Sequence, residues 1–375
     1  VRAGRRNGGG VVRRLIPALA LLVLLSGCGA AQEETEVSPV YTDWSHLGPY
    51  EPPEAVYTRF SPYSGDTLTP REDYGPLLPY VGAYPETDSY MGSLPLLGLV
   101  TAGGAVVTDP VYAQIQMVGD FWGSVPEYDP FLLLYRGELT GHETSEWGTY
   151  PVVDFSLTVA APDGSWVREM GTQYINPQSL RDGRLALTGR DGSALILNGD
   201  GTDGTYFPAS ALEAFLGKDF QWSWEGGPDL SWDGRYGHVW RYDENDPEGD
   251  GIVCWLDADT GTVTAERPAD YTPTEYTYEE DPVFPGYSRS SALADPITGA
   301  AYHYARREND SGSDLLDEAG NVVLADCEMP YLTLGIGDSP WVWGDRIAYG
   351  EDGFFCYRDL EGNLIFRYPV ETNSD

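Results

Sequence analysis

The sequence predicts an all-β chain, a β-propeller of about seven blades (six to eight) with one short inserted helix. Two observations carry this. Across 375 residues the chain holds 13 % aromatics, 45 Gly and 28 Pro. That composition favours short strands joined by turns over long helices. The second observation is a recurring unit: an apolar strand, a polar turn ending in Gly, and a second apolar strand. With 41 % hydrophobic residues the chain can pack a core around such units.

The units read as follows. VYTRFSPYSGDTL turns at Gly65, LGLVTAGGAVV at Gly104, SLTVAAPDGSWV at Gly164 and LALTGRDGSALIL at Gly192. IVCWLDADTGTVTA turns at Gly261, ALADPITGAAYHYA at Gly299, DLLDEAGNVVLAD at Gly320 and FFCYRDLEGNLIFRY at Gly362. Asp or Asn near the turn start bonds the local backbone, and Gly supplies a positive φ, so each is a β-hairpin. Several turn glycines fall roughly 40 residues apart, the period of propeller blades. One small sheet cannot bury both faces alone, and radial stacking buries them. Residues 56–375 are therefore expected to form a single propeller. Closing its ring calls for the C-terminal strand NLIFRYP to sit in a blade with early-chain strands. In LGLVTAGGAVVTDPVYAQI, a scaffold role requires Leu97, Leu99, Val106 and Tyr112 or Ile115 to be buried. It also requires Gly103 or Gly104 to hold a positive φ. The helix is expected in PASALEAFLGKDF, with Ser210 as N-cap, Glu213 completing a capping box and Gly217 as the stop.

Two resemblances attach to these stretches. GLVTAGGAVVTDPVYAQI resembles one WG repeat, and Phe121-Trp122-Gly123, Glu146-Trp147-Gly148 and Val342-Trp343-Gly344 are similar to its Trp-Gly pair. LSWDGRYGHVW and AAPDGSWV resemble the hairpins of TolB-like propellers. Both families imply a lipoprotein or periplasmic β-propeller scaffold, and neither implies a catalytic residue.

The opening segment reads as an address. In VVRRLIPALALLVLLSGC, basic residues precede an apolar stretch, Leu15 to Leu25, too short for a comfortable membrane span. It ends in Leu25-Ser26-Gly27-Cys28, which resembles a bacterial lipobox. The resemblance implies cleavage before Cys28 and acylation of its thiol with fatty chains such as palmitate. Residues 1–27 are then a lipoprotein signal peptide. Two or three acyl chains would anchor the chain stably to the bacterial membrane, facing outside the cytoplasm. Residues 28–55, polar, acidic and Pro-punctuated, read as a tether.

The formal net charge is −37, and the leader contributes five of the positive charges (Arg2, Arg5, Arg6, Arg13, Arg14). The remainder repels phosphate backbones, which disfavours nucleic-acid binding. A solvated acidic surface or the binding of cations or basic partners accounts for it. Beyond Cys28 the cysteines are Cys254, Cys327 and Cys356. Three cannot all pair, so they are buried free thiols, or one disulfide with a thiol left over.

No catalytic constellation stands out. His46, His142, His238 and His303 are scattered, and no metal-binding spacing joins them to cysteines or acids. No cofactor is expected unless it is calcium. In DPEGDGIVCWLD, Asp246, Glu248, Asp250 and Asp257 fall at positions one, three, five and twelve of a loop resembling an EF-hand. The competing interpretation is a tight acidic turn, with GIVCWLD a strand paired to GHVWRYD. For ligand binding the candidates are Trp222, Trp224 and Trp232 in FQWSWEGGPDLSW. They either stack on a ligand or fill space between blades.

The functional expectation is a monomeric, membrane-anchored, non-enzymatic propeller that binds a protein, peptide or glycan outside the cytoplasm. The alternatives are an extracytoplasmic glycan-active hydrolase using carboxylates at the propeller mouth, and a structural part of an envelope assembly.

Overall fold

The structure, a computed structural model, describes residues 65–83, 96–117, 131–145, 148–222, 227–241, 251–274, 282–295, 297–308, 312–325, 342–351 and 354–369. Among the described residues the strands form six antiparallel sheets in chain order. The first sheet pairs β1 (Leu77–Ala83) with β2 (Leu96–Thr101). The second is a meander of β3 (Gln114–Met117), β4 (Leu132–Ser145), β5 (Gly148–Ala160) and β6 (Val167–Gly171). The third holds β7 (Tyr174–Ser179), β8 (Leu185–Gly189), β9 (Ala194–Leu197) and β10 (Asp203–Phe207), followed by the helix α1 (Ala209–Leu216). The fourth holds β11 (Asp229–Asp233), β12 (Tyr236–Trp240), β13 (Ile252–Asp257) and β14 (Val263–Thr264). The fifth holds β15 (Tyr287–Ala294), β16 (Ala301–Arg307), β17 (Ser313–Asp317) and β18 (Val322–Leu324). The sixth holds β19 (Arg346–Glu351), β20 (Phe354–Asp359) and β21 (Leu364–Pro369), with Val342 bridged to Ile347.

Side chains alternate across a strand, and here both faces are buried. On β4, Leu132 and Leu134 join a cluster with Leu97, Leu99 and Val100 of the first sheet. Leu133, between them, joins Leu185, Leu187 and Leu195 of the third. The third sheet turns Ala186, Ala194 and Ile196 the other way, onto Leu230, Val239 and Leu256 of the fourth. Tyr302 and Leu315 of the fifth meet Val342 and Ile347 of the sixth. Ala348, Phe355, Tyr357 and Phe366 of the sixth return to the first-sheet cluster. Sheets packed face to face, first on second, second on third, third on fourth, fifth on sixth and sixth on first, are the blades of a β-propeller. Each fully buried Leu contributes about 1.5–3 kcal/mol, so the alternating rows are the main cohesive term.

Among the described residues β21 pairs with β20. Residues 56–64, the early-chain segment that the sequence reading places in a hairpin, lie outside the described residues. Side chains join the last sheet to the first: the Tyr80 ring sits 5.4 Å from Phe366 and 4.9 Å from Tyr368. The Trp343 indole N–H donates to Leu77 O at 2.9 Å, and Tyr357 OH donates to Pro79 O at 2.5 Å. A tyrosine-rich interface ties two blades by packing and polar tips together.

The hairpin turns otherwise follow the sequence. Gly104, Gly164, Gly192, Gly261, Gly299, Gly320 and Gly362 all hold φ between 68° and 89°. Gly65 does not start a hairpin: the described chain from there to Pro76 contains no strand. Asp109 N–H donates to Asp66 O, Asp66 N–H donates to the Asp109 carboxylate, and Leu68 N–H donates to Tyr112 OH, so this segment lies against the first sheet as a cover. Leu97, Leu99, Tyr112 and Ile115 are buried, and Val106 is half-buried. Thr108 is buried with them, its hydroxyl accepting Leu99 N–H. The Trp343-Gly344-Asp345 stretch is itself a two-residue turn, φ 62° and 58°, joining Val342 to Ile347. Positive φ at both centres is the hairpin geometry that matches strand twist.

Helix α1 begins two residues earlier than its capping box implies. Pro208 is the N-cap and no side chain caps the helix; Ser210 lies inside it. Proline presets the entry φ, here −69°, which makes Ser210 unnecessary as a cap. Gly217 ends the helix as expected, its N–H donating to Glu213 O, and Leu212 and Leu216 anchor it on the third sheet's core. Cys254 is a buried free thiol, pushed up to about 11 by burial, and Cys356 is buried likewise. Cys28, the 1–27 leader, the 28–55 tether, Cys327, Trp122 and Trp147 lie outside the described residues.

Gly104→Val is expected to lower unfolding stability by more than about 1 kcal/mol, because a β-branched residue fits its φ of 89° badly. Gly103→Ala, an exposed position with open space around it, should change stability by less than about 0.5 kcal/mol. Urea titration of both variants checks the contrast.

Candidate functional site

In an antiparallel meander the first and third turns emerge at the same end of the sheet. The turns near Asp163, Asp182, Asp200, Asp259 and Asp295 all belong to this end. A depression of about 380 Å³ opens where the turns near Asp163, Asp200 and Asp295 meet Pro76. Pro162, Asp163, Ser165 and Trp166 of the β5–β6 turn form one wall; Pro76 and Ile297 form others. Gly199, in the β9–β10 turn, completes the rim. Four sheets or their leading residues thus contribute to one concavity, of a size used for ligand recognition.

The wall bearing Trp166 is held from several sides. Ala161 N–H donates to Trp166 O, and Gly164 N–H donates to Ala161 O. Ser165 N–H donates to the Asp163 carboxylate at 2.9 Å. The indole packs over Gly201 and meets Phe131 edge to face with ring centroids 6.0 Å apart. The sequence singled out AAPDGSW only as a hairpin. The signal for the cavity was there: an aromatic directly after a tight acidic turn, where the strand has barely begun.

The other candidates fall elsewhere. Trp222 and Trp232 pack against the cluster between the third and fourth sheets, with Trp232 over Gly237 and 6.1 Å from Phe207. Their indole nitrogens are buried. This geometry is that of side chains filling space between blades. Trp224 lies outside the described residues, as do Asp246, Glu248 and Asp250. Asp257 ends β13, and β13 pairs with β12 in the expected hairpin. Its carboxylate is taken up by Arg235 in a two-pronged contact at 2.7 and 2.5 Å. Hydrogen bonding from Arg235 holds Asp257 down at about 2. Arg235 also reaches Asp259 at 3.1 Å, and Arg184 reaches Asp259 at 2.9 Å, so a charge network spans the third and fourth sheets. Among the described residues, no group of three His, Cys, Asp or Glu is gathered closely enough to hold a metal ion. His238 and His303 each bury an Nδ1 without a hydrogen-bond partner, and burial lowers the His238 pKa.

No family model and no curated protein matches the chain. Among solved structures it is similar to apo AztD from Citrobacter koseri, 12 % identical, covering 79 % of this chain and 95 % of that one, TM-score 0.36. It is similar to BamB from Moraxella catarrhalis, 13 % identical over 82 % of this chain and 91 % of that one, TM-score 0.23. A streptogramin B lyase is 15 % identical over 65 % and 74 % of the two chains, TM-score 0.18.

Asp257→Asn is expected to destabilise the protein at neutral pH. The folded pKa of about 2 lies below the unfolded value of about 3.9. The contribution is therefore fully present above about pH 4 and is lost as pH falls toward 2. Thermal melts of wild type and variant should differ at pH 7 and converge near pH 2.

Proposed function

We propose that this chain is a non-catalytic binding propeller, held outside the cytoplasm of a bacterial cell through lipidated Cys28. Its ligand, a protein, peptide or glycan, docks in the depression lined by Trp166, Asp163 and Pro76. The observation that carries this reading is the cavity itself. It is built from turns of separate blades, while the cohesive apolar rows lie between the sheets. Turn residues there can serve a ligand without disturbing the core, the usual division of labour between loops and scaffold. The walls are fixed before any ligand arrives, which reduces the ordering cost of binding. The leader ending in Leu-Ser-Gly-Cys supports the anchoring.

One experiment addresses both parts. A photo-crosslinking residue replaces Ser165 or, as a control, the exposed Glu361, in cells that make the full chain. The expected result is a discrete adduct from position 165 alone, recovered with the membrane fraction and shifted to the soluble fraction by Cys28→Ala. Identical patterns from the two positions would remove the cavity from consideration. Unchanged fractionation of Cys28→Ala would remove the anchor.

A further inference from the structure

We propose that the depression receives a basic side chain, an arginine or lysine, from a polypeptide partner. This rests on the cavity being the ligand site, and it adds the chemistry of the ligand.

Four observations on the cavity converge on a cation with an aliphatic stem. First, Trp166 forms part of the wall, and an indole face attracts a guanidinium or ammonium group. Its rotation is blocked by Gly201 and Phe131, so the surface is presented in a fixed orientation. Second, the Asp163 carboxylate stands exposed in the same wall. It accepts one backbone N–H at Oδ1, from Ser165, which orients the group. A carboxylate is acceptor-only, so it suits a donor-rich cation. Third, Pro76, Pro162 and Ile297 supply the apolar remainder, against which the methylenes of Lys or Arg can lie. Fourth, the neighbouring cation is already compensated. Arg168, next along the chain from the cavity wall, is paired with Asp203 at 2.7 Å and donates to Gly201 O at 3.0 Å. Asp200, beside Gly199 on the rim, adds a further negative charge.

The long-range field agrees. A chain of net charge −37 draws basic partners toward it and repels anionic ones. A neutral glycan would stack on Trp166 and donate hydroxyls to Asp163, yet it would gain nothing from the acidic field. The field by itself would bind any polycation loosely and at no defined place. The cavity converts that attraction into a particular contact.

The test uses the full chain in detergent micelles and isothermal titration calorimetry. The probes are a tetra-arginine peptide, the tetra-citrulline peptide of the same shape but no charge, and chitotetraose. Asp163→Asn keeps an oxygen for Ser165 N–H and so preserves the turn. Trp166→Leu removes the aromatic face, and Glu361→Gln is an equal charge change on an exposed turn of the sixth sheet. The expected result is that tetra-arginine binds and tetra-citrulline does not. Asp163→Asn and Trp166→Leu should each weaken binding about tenfold, and Glu361→Gln less than about twofold. Circular dichroism of each variant confirms that it is folded; if Trp166→Leu is not, Asp163→Asn against Glu361→Gln decides alone. Equal weakening by Asp163→Asn and Glu361→Gln would overturn the proposal in favour of a diffuse field. Chitotetraose binding lost in Trp166→Leu, without arginine binding, would overturn it in favour of a glycan. If tetra-arginine does not bind while the position-165 adduct persists, the cavity stands as the ligand site and its cationic chemistry falls.

Discussion

A recurring hydrogen bond holds neighbouring blades in register: a backbone carbonyl in the third turn of one sheet accepts a donor from the sheet before it. Ala102 O, beyond β2, accepts Arg346 Nε of the sixth sheet at 3.1 Å. Pro162 O and Gly164 O, in the β5–β6 turn, accept the N–H groups of Leu77 and Arg71 at 2.9 Å each. Gly201 O accepts Arg168 Nη1 of the second sheet, and Ala258 O accepts Thr205 Oγ1 and Arg184 of the third. The geometry follows from the turn. A glycine at positive φ reverses the chain sharply and leaves carbonyls of the turn pointing away from their own ladder. Those carbonyls need partners, and the adjacent blade supplies them. The apolar rows then provide the cohesion, and the turn bonds fix how far one sheet slides over the next.

Asp295 performs the same task in another way. Its carboxylate is fully buried and accepts four backbone N–H groups. Two belong to its own turn, Ile297 and Thr298; two belong to the sixth sheet's first turn, Gly344 at 2.7 Å and Asp345 at 2.6 Å. Replacing it with an apolar side chain would take the acceptor from four part-buried donors, at about 1–3 kcal/mol for each one left unmet. Trp343, beside Gly344 in the second turn, then reaches the first sheet through its indole. The chain of contacts from Asp295 through Trp343 to Leu77 is thus one continuous connection across two blade boundaries. It also sets Ile297 and Pro76 where both line the cavity, which links ring architecture to recognition.

Much of the scaffold was legible in the sequence because turn chemistry is local. A glycine that must hold positive φ, preceded by an Asp that bonds the next residues, declares itself within five positions. Asp317-Asn321 and Asp359-Asn363 show it, with the same pair of side-chain bonds in the fifth and sixth sheets. Relations between distant segments were less legible. Nothing near Asp295 in sequence announces that its acceptors serve Gly344 and Asp345, about fifty residues on. The same is true of Tyr80 against Phe366 and Tyr368, so the side-chain contacts between the last and first sheets were not readable. The cavity shares this limit: Pro76, Trp166 and Ile297 are unremarkable apart, and only the ring assembles them. Trp222 and Trp232, conspicuous in the sequence for their density, pack between blades.

The account depends on the ring being closed by contacts of the first and sixth sheets, with Trp343 at their centre. Native-state hydrogen exchange on Trp343→Phe measures this most directly, since phenylalanine keeps a ring but loses the N–H that Leu77 O accepts. Faster exchange is expected at the Leu97 and Val100 amides and at Phe355 and Tyr357 together, with Leu187 and Leu195 of the third sheet unaffected. Faster exchange confined to the sixth sheet, with the first sheet protected as before, would contradict it.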